Sequence, residues 1–150
     1  MFSVLIPARN QFEDIQRLLS DLTPAAVDGL IQDVLVADNG SEDPTAIFCE
    51  DAGVDLVQGG LVAAANMAKS NWLLILPATF RADSDRLKAL LDLSRGPLMP
   101  SRYAGVKPKG WLARPALGLI ISKAELLTSD ETWDLSLVMK RFSKSVRRTL

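Results

Sequence analysis

The sequence predicts an α/β fold in which a doubly wound, mainly parallel sheet is flanked by helices in a three-layer αβα arrangement. Short apolar runs alternate with segments of helical periodicity, which is typical of βαβ units. The chain has 150 residues, of which 48% are hydrophobic and 23% charged. This length and composition predict a single compact domain with a core of its own.

The first six elements are predicted from apolar runs and capping residues. In order, they are a strand at 3–7, a helix from Asn10 to Thr23-Pro24, a strand at 33–38, a helix from Asp43 to about Ala52, a strand at 54–57 and a helix at 61–70. Asn10 and Glu13 have the spacing of a capping box, and Asp43 before Pro44 is a typical N-cap pair. Residues 61–70 are rich in alanine, which favours a helix.

The remaining elements are more widely spaced. They are the most apolar strand at 71–76, a helix from Asp83 or Ser84 to about Leu93, a strand at 117–122 and a basic helix from Glu131 to about Arg148. Glycine and proline recur between residues 96 and 115, which predicts an irregular segment there.

The last predicted helix has an apolar stripe and a basic remainder. The stripe contains Leu135, Val138, Phe142 and Val146, and the basic residues are Lys140, Arg141, Lys144, Arg147 and Arg148. Such a helix either docks its stripe on the core or lies on an anionic bilayer. We therefore expect at most peripheral membrane contact, through this basic C-terminal helix.

Charge is unevenly distributed although the formal net charge is only -1. Residues 1–100 hold 7 Lys and Arg against 14 Asp and Glu, whereas residues 101–150 hold 10 against 4. This asymmetry predicts a basic surface near residues 102–114, suited to an anionic ligand, a partner or a membrane surface. An ordinary solvated face is the alternative, and nucleic acid is not expected as a partner.

The composition excludes several classes of function. The chain has no histidine, so Ser-His-Asp and Cys-His catalysis are excluded and zinc lacks its commonest nitrogen ligand. The single cysteine, Cys49, cannot form an internal disulfide, which favours a cytoplasmic location and a structural role. No apolar run approaches the roughly 20 residues of a spanning helix, so we expect no transmembrane segment or signal peptide.

Polar residues follow three of the predicted strands, at 7–10, 38–43 and 77–79. Ligands of doubly wound sheets bind at the carboxyl ends of the strands. The carboxylate of Asp38 can accept hydrogen bonds from the N–H and hydroxyl groups of a nucleoside, and Gly40 allows close backbone approach. A simple turn is the alternative, because Asp, Asn, Gly and Ser all favour turns.

These stretches resemble family 2 glycosyltransferases. Residues 3–10, S-V-L-I-P-A-R-N, are similar to the family's opening S-V-[IV]-I-P-x-x-N-E, and residues 34–45, V-L-V-A-D-N-G-S-E-D-P-T, to its V-I-V-V-D-[DG]-G-S-x-D-G-T. Residues 71–79, N-W-L-L-I-L-P-A-T, resemble its G-D-W-[IL]-L-F-L-D-A-D. The resemblance extends over residues 3–80 and implies a GT-A type α/β fold that transfers a sugar from a nucleotide-diphosphate donor.

The resemblance also implies a role for particular residues. Residues 1–94 would be the nucleotide-binding half, and residues 95–150 a reduced acceptor half. Asp38 would bind the base or ribose, with Ser41 and Asp43 shaping its loop. The full set of implied nucleotide-binding residues is Pro7, Ala8, Asn10, Asp38, Asn39, Ser41 and Asp43.

A general base is also implied, in the sequence Trp133-Asp134-Leu135, which resembles the family's E-D motif at the start of a helix. Asp134 would deprotonate an acceptor hydroxyl in an inverting displacement. The alternative is a carboxylate that the helix dipole favours in the first turn.

The family's metal site is missing. Its two D-x-D carboxylates align with Pro77 and Thr79, which are poor ligands for a hard cation, so no divalent metal or other cofactor is expected. Cationic side chains could stabilise the leaving diphosphate instead. Candidates for this role or for acceptor binding are Arg102, Lys107, Lys109 and Arg114, with Tyr103 and Trp111 available to stack on a sugar or base. An ordinary solvated basic loop is the alternative.

Two functions from different classes remain open at this point. One is a glycosyltransferase that acts without the usual metal on an unknown acceptor, for which lipid-linked molecules and saccharides are candidates. The other is a degenerate, non-catalytic family member that binds a nucleotide or a protein partner. A dinucleotide-binding Rossmann domain is disfavoured, because Gly59-Gly60 does not form G-x-G-x-x-G.

Overall fold

A computed structural model describes residues 1–146 and 148–150. It shows a six-stranded sheet in the order β3-β2-β1-β4-β6-β5. The strands are β1 (Phe2–Ala8), β2 (Ile31–Asp38), β3 (Asp55–Val57), β4 (Trp72–Ile75), β5 (Ser101–Ala104) and β6 (Leu117–Ser122). β1 pairs in parallel with β2 and β4, and β2 with β3, whereas β6 is antiparallel to both β4 and β5.

Helices cover both faces of this sheet. They are α1 (Phe12–Val27), α2 (Thr45–Ala52), α3 (Leu61–Met67), α4 (Ser84–Ser94), α5 (Lys123–Leu126) and α6 (Leu135–Arg141). Buried residues of α1, α2 and α4 share one apolar cluster, and those of α3, α5 and α6 share another. Neighbouring strand residues alternate between the two, as Leu73 and Leu74 do on β4. The predicted three-layer α/β architecture is confirmed.

The segment predicted to be irregular contains a strand. β5 lies within residues 96–115 and pairs with β6, with Ala104 opposite Leu117. The prediction failed because a four-residue strand between Pro100 and Gly105 is too short to show a period of two. The pairing with β6 and the burial of Tyr103 hold it in the sheet.

The first helix differs from its prediction at both ends. α1 begins after Gln11, and Asn10 adopts a positive φ of 51° instead of capping the helix. α1 also continues through Pro24 to Val27. Proline removes one backbone hydrogen bond, but the burial of Leu22 and Ala25 on the core side keeps this last turn helical.

The last helix is much shorter than predicted, because α6 ends at Arg141. Leu135, Val138 and Val146 are buried in the core, and Phe142 packs against it. The docking interpretation of the apolar stripe is therefore correct, and this stripe is not available to a bilayer. No helix among the described residues is long and apolar enough to span a membrane. The predicted basic residue Arg147 lies outside the described residues.

Residues 148–150 run beside β5 in place of a longer helix. The Arg102 N–H donates to the Arg148 carbonyl at 3.0 Å, and the Leu150 N–H donates to the Arg102 carbonyl at 2.8 Å. These bonds satisfy backbone groups on the outer edge of the sheet, which would otherwise invite pairing with another chain.

Candidate functional site

The strand order has a switch point between β1 and β4. The chain builds β2 and β3 on one side of β1 and then crosses to β4 on the other side. A crevice forms at such a point beyond the carboxyl ends of the strands, and ligands of open α/β sheets bind there. The segments after β1, β2 and β4 therefore meet at the edge of the sheet where a site is expected.

Asp38 is the last residue of β2 and is only 4% exposed. The Ser41 N–H donates to both carboxylate oxygens of Asp38, with the nitrogen 3.3 Å from each. The Gln58 side-chain amide donates to Oδ2 of Asp38 at 3.1 Å. A carboxylate has about four acceptor positions, so these two donors leave some of its capacity unused. Asp38 is thus a buried anion at a strand end that can still accept hydrogen bonds from a ligand.

The loops after β1 and β2 are joined by reciprocal hydrogen bonds. The Asn10 N–H donates to Ser41 Oγ at 2.9 Å, and the Glu42 N–H donates to Asn10 Oδ1 at 2.7 Å. The neighbouring Asn39 N–H donates to the Ala8 carbonyl at 2.9 Å. Gly40 has a φ of 72°, in the left-handed region that favours glycine. These contacts explain why Asn10 departs from its predicted capping role.

Asp43 also connects these two loops, although it lies one residue before the N-cap of α2, Pro44, and not at the predicted cap position. Its Oδ2 accepts the Phe12 N–H at 3.0 Å, and its Oδ1 accepts the Thr45 N–H at 3.2 Å and the Thr45 hydroxyl at 2.5 Å. Partial burial raises the pKa of the Asp43 carboxyl, but the bonds from Thr45 and Phe12 outweigh it and hold the pKa below its usual value. Asp43 is therefore ionised at neutral pH and accepts hydrogen bonds from residues that follow both loops.

Glu131 brings the α5–α6 loop to this edge of the sheet. Its carboxylate accepts the Val62 N–H at 2.8 Å and the Ala63 N–H at 2.9 Å, both at the start of α3. The Leu61 N–H donates to the Thr132 carbonyl at 2.8 Å. A Cβ on Gly60 would lie 2.7 Å from the Thr132 carbonyl oxygen, which is backbone, so this close approach requires glycine. The segment that carries Asp134 thus packs on the turn that follows Gln58.

Asp134 is the N-cap of α6. Its Oδ1 accepts the Ser136 hydroxyl at 2.6 Å and the Ser136 N–H at 2.9 Å. These bonds hold the pKa of the Asp134 carboxyl below its usual value. The group is ionised at neutral pH and can accept a proton, although the lowered pKa weakens it as a base.

The predicted cations lie on the opposite side of the crevice. Arg102 is in β5, and Lys107, Lys109 and Arg114 are exposed on the loop between β5 and β6. Four strand spacings of about 4.8 Å separate β2 from β5, or about 19 Å. The structure therefore does not bring Arg102 next to Asp38.

The two aromatic residues predicted to stack on a ligand differ in exposure, since Tyr103 is buried and Trp111 is exposed. Tyr103 is fully buried and its hydroxyl donates to the Arg86 carbonyl. The prediction that Tyr103 stacks on a ligand is therefore wrong. Burial raises the pKa of this hydroxyl. Trp111 is exposed on the β5–β6 loop.

Three residues at this edge were missed from the sequence. Arg9 is an exposed cation immediately after β1, at the switch point, and its place within residues 7–10 could have identified it. Gln58 and Glu131 act through contacts with residues 20 and 69 positions away in the chain. No local pattern predicts such contacts.

One cavity lies beside the loops after β1 and β2, and larger ones lie elsewhere on the protein. A cavity of about 440 Å³ separates α1 from α4, and one of about 370 Å³ borders the loop contacts of Asn10 and Asp43. Neither the 440 Å³ cavity nor a third one of about 490 Å³, between α1, β2 and α2, contains any of the predicted site residues. Asn10 and Asp43, two of the predicted nucleotide-binding residues, line the cavity of about 370 Å³.

The fold is similar to solved structures of glucosyl-3-phosphoglycerate synthase from Mycobacterium tuberculosis. Its complex with Mn²⁺, UDP and glucosyl-3-phosphoglycerate gives a TM-score of 0.69 at 17% identity, over 99% of this chain and 69% of that one. Its complex with UDP gives 0.70 at 17% identity, over the same shares of both chains. Its complex with Mn²⁺, UDP-glucose and phosphoglyceric acid gives 0.68 at 18% identity, again over 99% and 69%.

At this identity the similarity establishes the fold alone. The chain has the GT-A-like αβα fold that the sequence resemblance implied. No protein-family model matches the chain. No curated protein matches its sequence either.

The residues after β4, which align with the D-x-D carboxylates of the resembled family, do not fit a divalent metal. Pro77 to Phe80 form a turn closed by the Phe80 N–H and the Pro77 carbonyl at 2.9 Å. Pro77 offers no side-chain ligand, and Thr79 offers one neutral hydroxyl. Within residues 1–146 and 148–150, no group of three or more His, Cys, Asp or Glu is placed to share an ion. We therefore derive no chemical step through a metal.

Proposed function

We propose that this chain is a glycosyltransferase that binds a nucleotide-diphosphate sugar and transfers the sugar to an acceptor hydroxyl without a D-x-D metal. The observation that carries this proposal is the buried Asp38 carboxylate, which keeps acceptor capacity at the carboxyl end of β2. The GT-A-like fold supports it, since solved structures of this fold include complexes with UDP-glucose.

The nucleoside is assigned to the loops after β1 and β2. Asp38 accepts hydrogen bonds from the base or ribose, and Asn39 lies beside it at the strand end. Pro7 and Ala8 form the neighbouring wall at the end of β1. The side chains of Asn10, Ser41 and Asp43 are engaged in loop contacts, so their role is to preorganise this pocket.

The diphosphate is assigned to the switch point, where Arg9 is the exposed cation that follows β1. A positioned guanidinium can offset the charge that develops on the leaving diphosphate. Arg102, Lys107, Lys109 and Arg114 border the crevice on the β5 side and stay candidates for the diphosphate or for the acceptor.

Asp134 is the proposed general base. It accepts the proton of the acceptor hydroxyl while the acceptor oxygen forms a bond to the anomeric carbon. The bond from that carbon to the diphosphate breaks, and its electron pair stays on the leaving phosphate oxygen. Oδ1 of Asp134 is engaged by Ser136, and none of the hydrogen bonds found in residues 1–146 and 148–150 uses Oδ2. Oδ2 is therefore the oxygen assigned to the proton.

The first test is the melting temperature with nucleotides and nucleotide-sugars, each with and without Mn²⁺ or Mg²⁺. A ligand at 100 times its Kd stabilises the folded chain by about 2.7 kcal/mol, which is visible in a melting curve. We expect one nucleotide class to stabilise the chain equally with and without metal. Asp38→Asn should abolish this shift, whereas Asp51→Asn, on the exposed end of α2, should keep it.

Three other outcomes would change the proposal. Stabilisation that requires metal would show that Pro77 and Thr79 are wrongly aligned with the D-x-D carboxylates. Absence of any shift at millimolar nucleotide would contradict donor binding. Donor binding without hydrolysis or transfer, unchanged in Asp134→Asn, would favour the non-catalytic alternative.

A further inference from the structure

The loop between β5 and β6 projects an apolar tip from a fixed base. At the base, the Gly105 N–H donates to the Ala116 carbonyl at 2.9 Å, and the Val106 N–H donates to the Arg81 carbonyl at 2.8 Å. At the tip, the Ala113 N–H donates to the Gly110 carbonyl at 3.3 Å. This bond closes a turn whose two central residues are Trp111 and Leu112.

Both central residues point away from the protein. Trp111 is 89% exposed and Leu112 is 74% exposed. Two adjacent large apolar side chains at the tip of a turn are unusual, because turns at a protein surface favour small and polar residues. Their exposure therefore indicates a surface that contacts something else.

The flanks of this tip are cationic. Lys107, Lys109 and Arg114 are all exposed, and the ion pairs found in residues 1–146 and 148–150 join other residues. The sequence has no Asp or Glu between Asp92 and Glu125. The positive charge of the loop is thus not neutralised by its own segment, and it attracts an anionic surface.

The order of these groups favours a bilayer over other anionic partners. Trp111 and Leu112 occupy the centre of the turn, with Lys107 and Lys109 before it and Arg114 after it. A loop with this order can insert its apolar turn into a bilayer while its cations stay at the level of the lipid phosphates. Tryptophan favours this interface, because its ring is largely apolar while its N–H can hydrogen-bond to polar headgroups. A nucleic-acid duplex would match the cations but would give Leu112 no apolar environment.

We propose that this loop docks on an anionic lipid bilayer, with Trp111 and Leu112 at the headgroup–acyl boundary and Lys107, Lys109 and Arg114 on lipid phosphates. Membrane contact is thereby assigned to the β5–β6 loop and not to the C-terminal helix, whose apolar stripe is buried. β5 runs in the same direction as β4, because both are antiparallel to β6. The loop and the candidate site therefore lie at the same edge of the sheet, and docking turns that edge toward the membrane.

The test is cosedimentation of the whole chain with phosphatidylcholine vesicles and with mixed phosphatidylcholine–phosphatidylglycerol vesicles. We expect about tenfold or stronger binding to the anionic vesicles. This binding should weaken at 1 M salt, where the Debye length falls to about 3 Å. The double variant Trp111→Ser, Leu112→Ser should lose about tenfold in vesicle affinity, with circular dichroism confirming that it is folded.

Leu137→Ser is the matched control, because Leu137 is 56% exposed on the basic helix α6. It should bind anionic vesicles as the unchanged chain does. A second pair, Lys107→Gln with Lys109→Gln, should lose affinity for anionic vesicles while keeping any binding to neutral ones. Loss of binding in Leu137→Ser but not in the tip variant would return membrane contact to α6 and overturn the proposal.

Other outcomes would also overturn it. Equal binding to neutral and anionic vesicles would remove the role of the cations. Absence of vesicle binding, with single-stranded DNA bound through Trp111, would assign the loop to nucleic acid. A dimer that dissociates in the tip variant would assign it to a second copy of this chain. Donor binding is measured separately, so failure here leaves the proposed transferase function standing.

Discussion

Asp43 shows how one side chain can connect two loops that are distant in sequence. Its carboxylate accepts backbone N–H groups from the starts of both α1 and α2. An ionised carboxylate is favourable at both places, because each helix start is the positive end of a dipole. The geometry of the Asp38 loop therefore depends on a residue that has no direct role in the proposed chemistry.

Replacing this residue should have an effect that depends on pH. Asp43→Ala should lower the free energy of unfolding by about 1 kcal/mol at pH 7, because the Phe12 and Thr45 N–H groups lose their acceptor as they do when a capping side chain is removed. The folded pKa is lowered from 3.8. The contribution is therefore complete above that value and is lost as the pH falls through the lower folded pKa. Urea unfolding of both chains at pH 7 and below pH 3.5 tests this.

Asp51→Ala is the control for this experiment, because Asp51 is exposed at the end of α2. A difference between Asp43→Ala and the unchanged chain that stayed constant down to pH 2 would show that packing, and not the carboxylate charge, is responsible.

Cys49 illustrates the opposite case of a residue without a chemical role. Burial, with smaller effects of Asp38 and Asp43, raises the pKa of its thiol to about 11. The thiol is therefore protonated at neutral pH and is a poor nucleophile. The structural role predicted for it agrees with this environment.

The contact between Glu131 and α3 connects two elements that the proposed mechanism uses. Without it, the α5–α6 loop that carries Asp134 would lose two hydrogen bonds to the start of α3. We infer that Glu131 is a positioning residue, which acts on transfer through the placement of Asp134.

Glu131→Gln is the corresponding test, since the amide keeps the size but can accept at one position only. Hydrogen exchange at the Val62 and Ala63 amides should accelerate, because a charged acceptor is replaced by a neutral one. In a transfer assay, the fold-decrease in kcat should be larger than the fold-change in the KM for the donor. Glu50→Gln, an exposed change on α2, should leave both unaffected. Unchanged exchange at both amides would contradict the inferred contact.

The predictions from sequence were most successful for elements with local signals. β1, β2 and β4 are apolar runs, and the cap of α4 by Asp83 is a local pattern that the structure shows, with a bond to the Arg86 N–H. β5 was missed because its stability comes from β6. The length of the last helix was overestimated because its apolar residues have helical spacing as far as Val146. In the structure α6 ends at Arg141, residues 142–145 form turns, and Val146 reaches the core without being helical.

The parts of the site with a local sequence signal were also the ones that could be predicted. The Asp38 loop has a recognisable sequence, and its residue roles stay predictions until binding is measured. The neighbours that complete this edge, Gln58 and Glu131, depend on tertiary contacts. Tyr103 was misassigned because a sequence does not show whether an aromatic residue faces the core or a ligand.

At the scale of the whole molecule, one sheet separates two apolar clusters and should couple them. Leu73 and Leu74 are adjacent on β4, are both fully buried and belong to different clusters. Leu73→Ala and Leu74→Ala should each cost about 2–5 kcal/mol, from lost burial and the cavity left behind. Each variant should still unfold in one transition, because both clusters share every central strand.

Far-UV circular dichroism and tryptophan fluorescence, followed in the same urea titration, test this coupling. Coincident transitions in both variants would show that residues 1–94 and 95–150 unfold together. Separate transitions would instead divide the chain into two units, against the single domain predicted from its length.

The antiparallel pairing of β6 with β4 has a consequence for synthesis on the ribosome. β4 borders β1 on one side, but its other side stays open until residues 76–116 and then β6 have been made. During that interval the most apolar strand of the chain exposes unpaired backbone groups, which can capture a strand from another nascent chain. The late arrival of β6 makes the emerging polypeptide a natural client for chaperones, even though β4 is paired on both sides in the finished molecule.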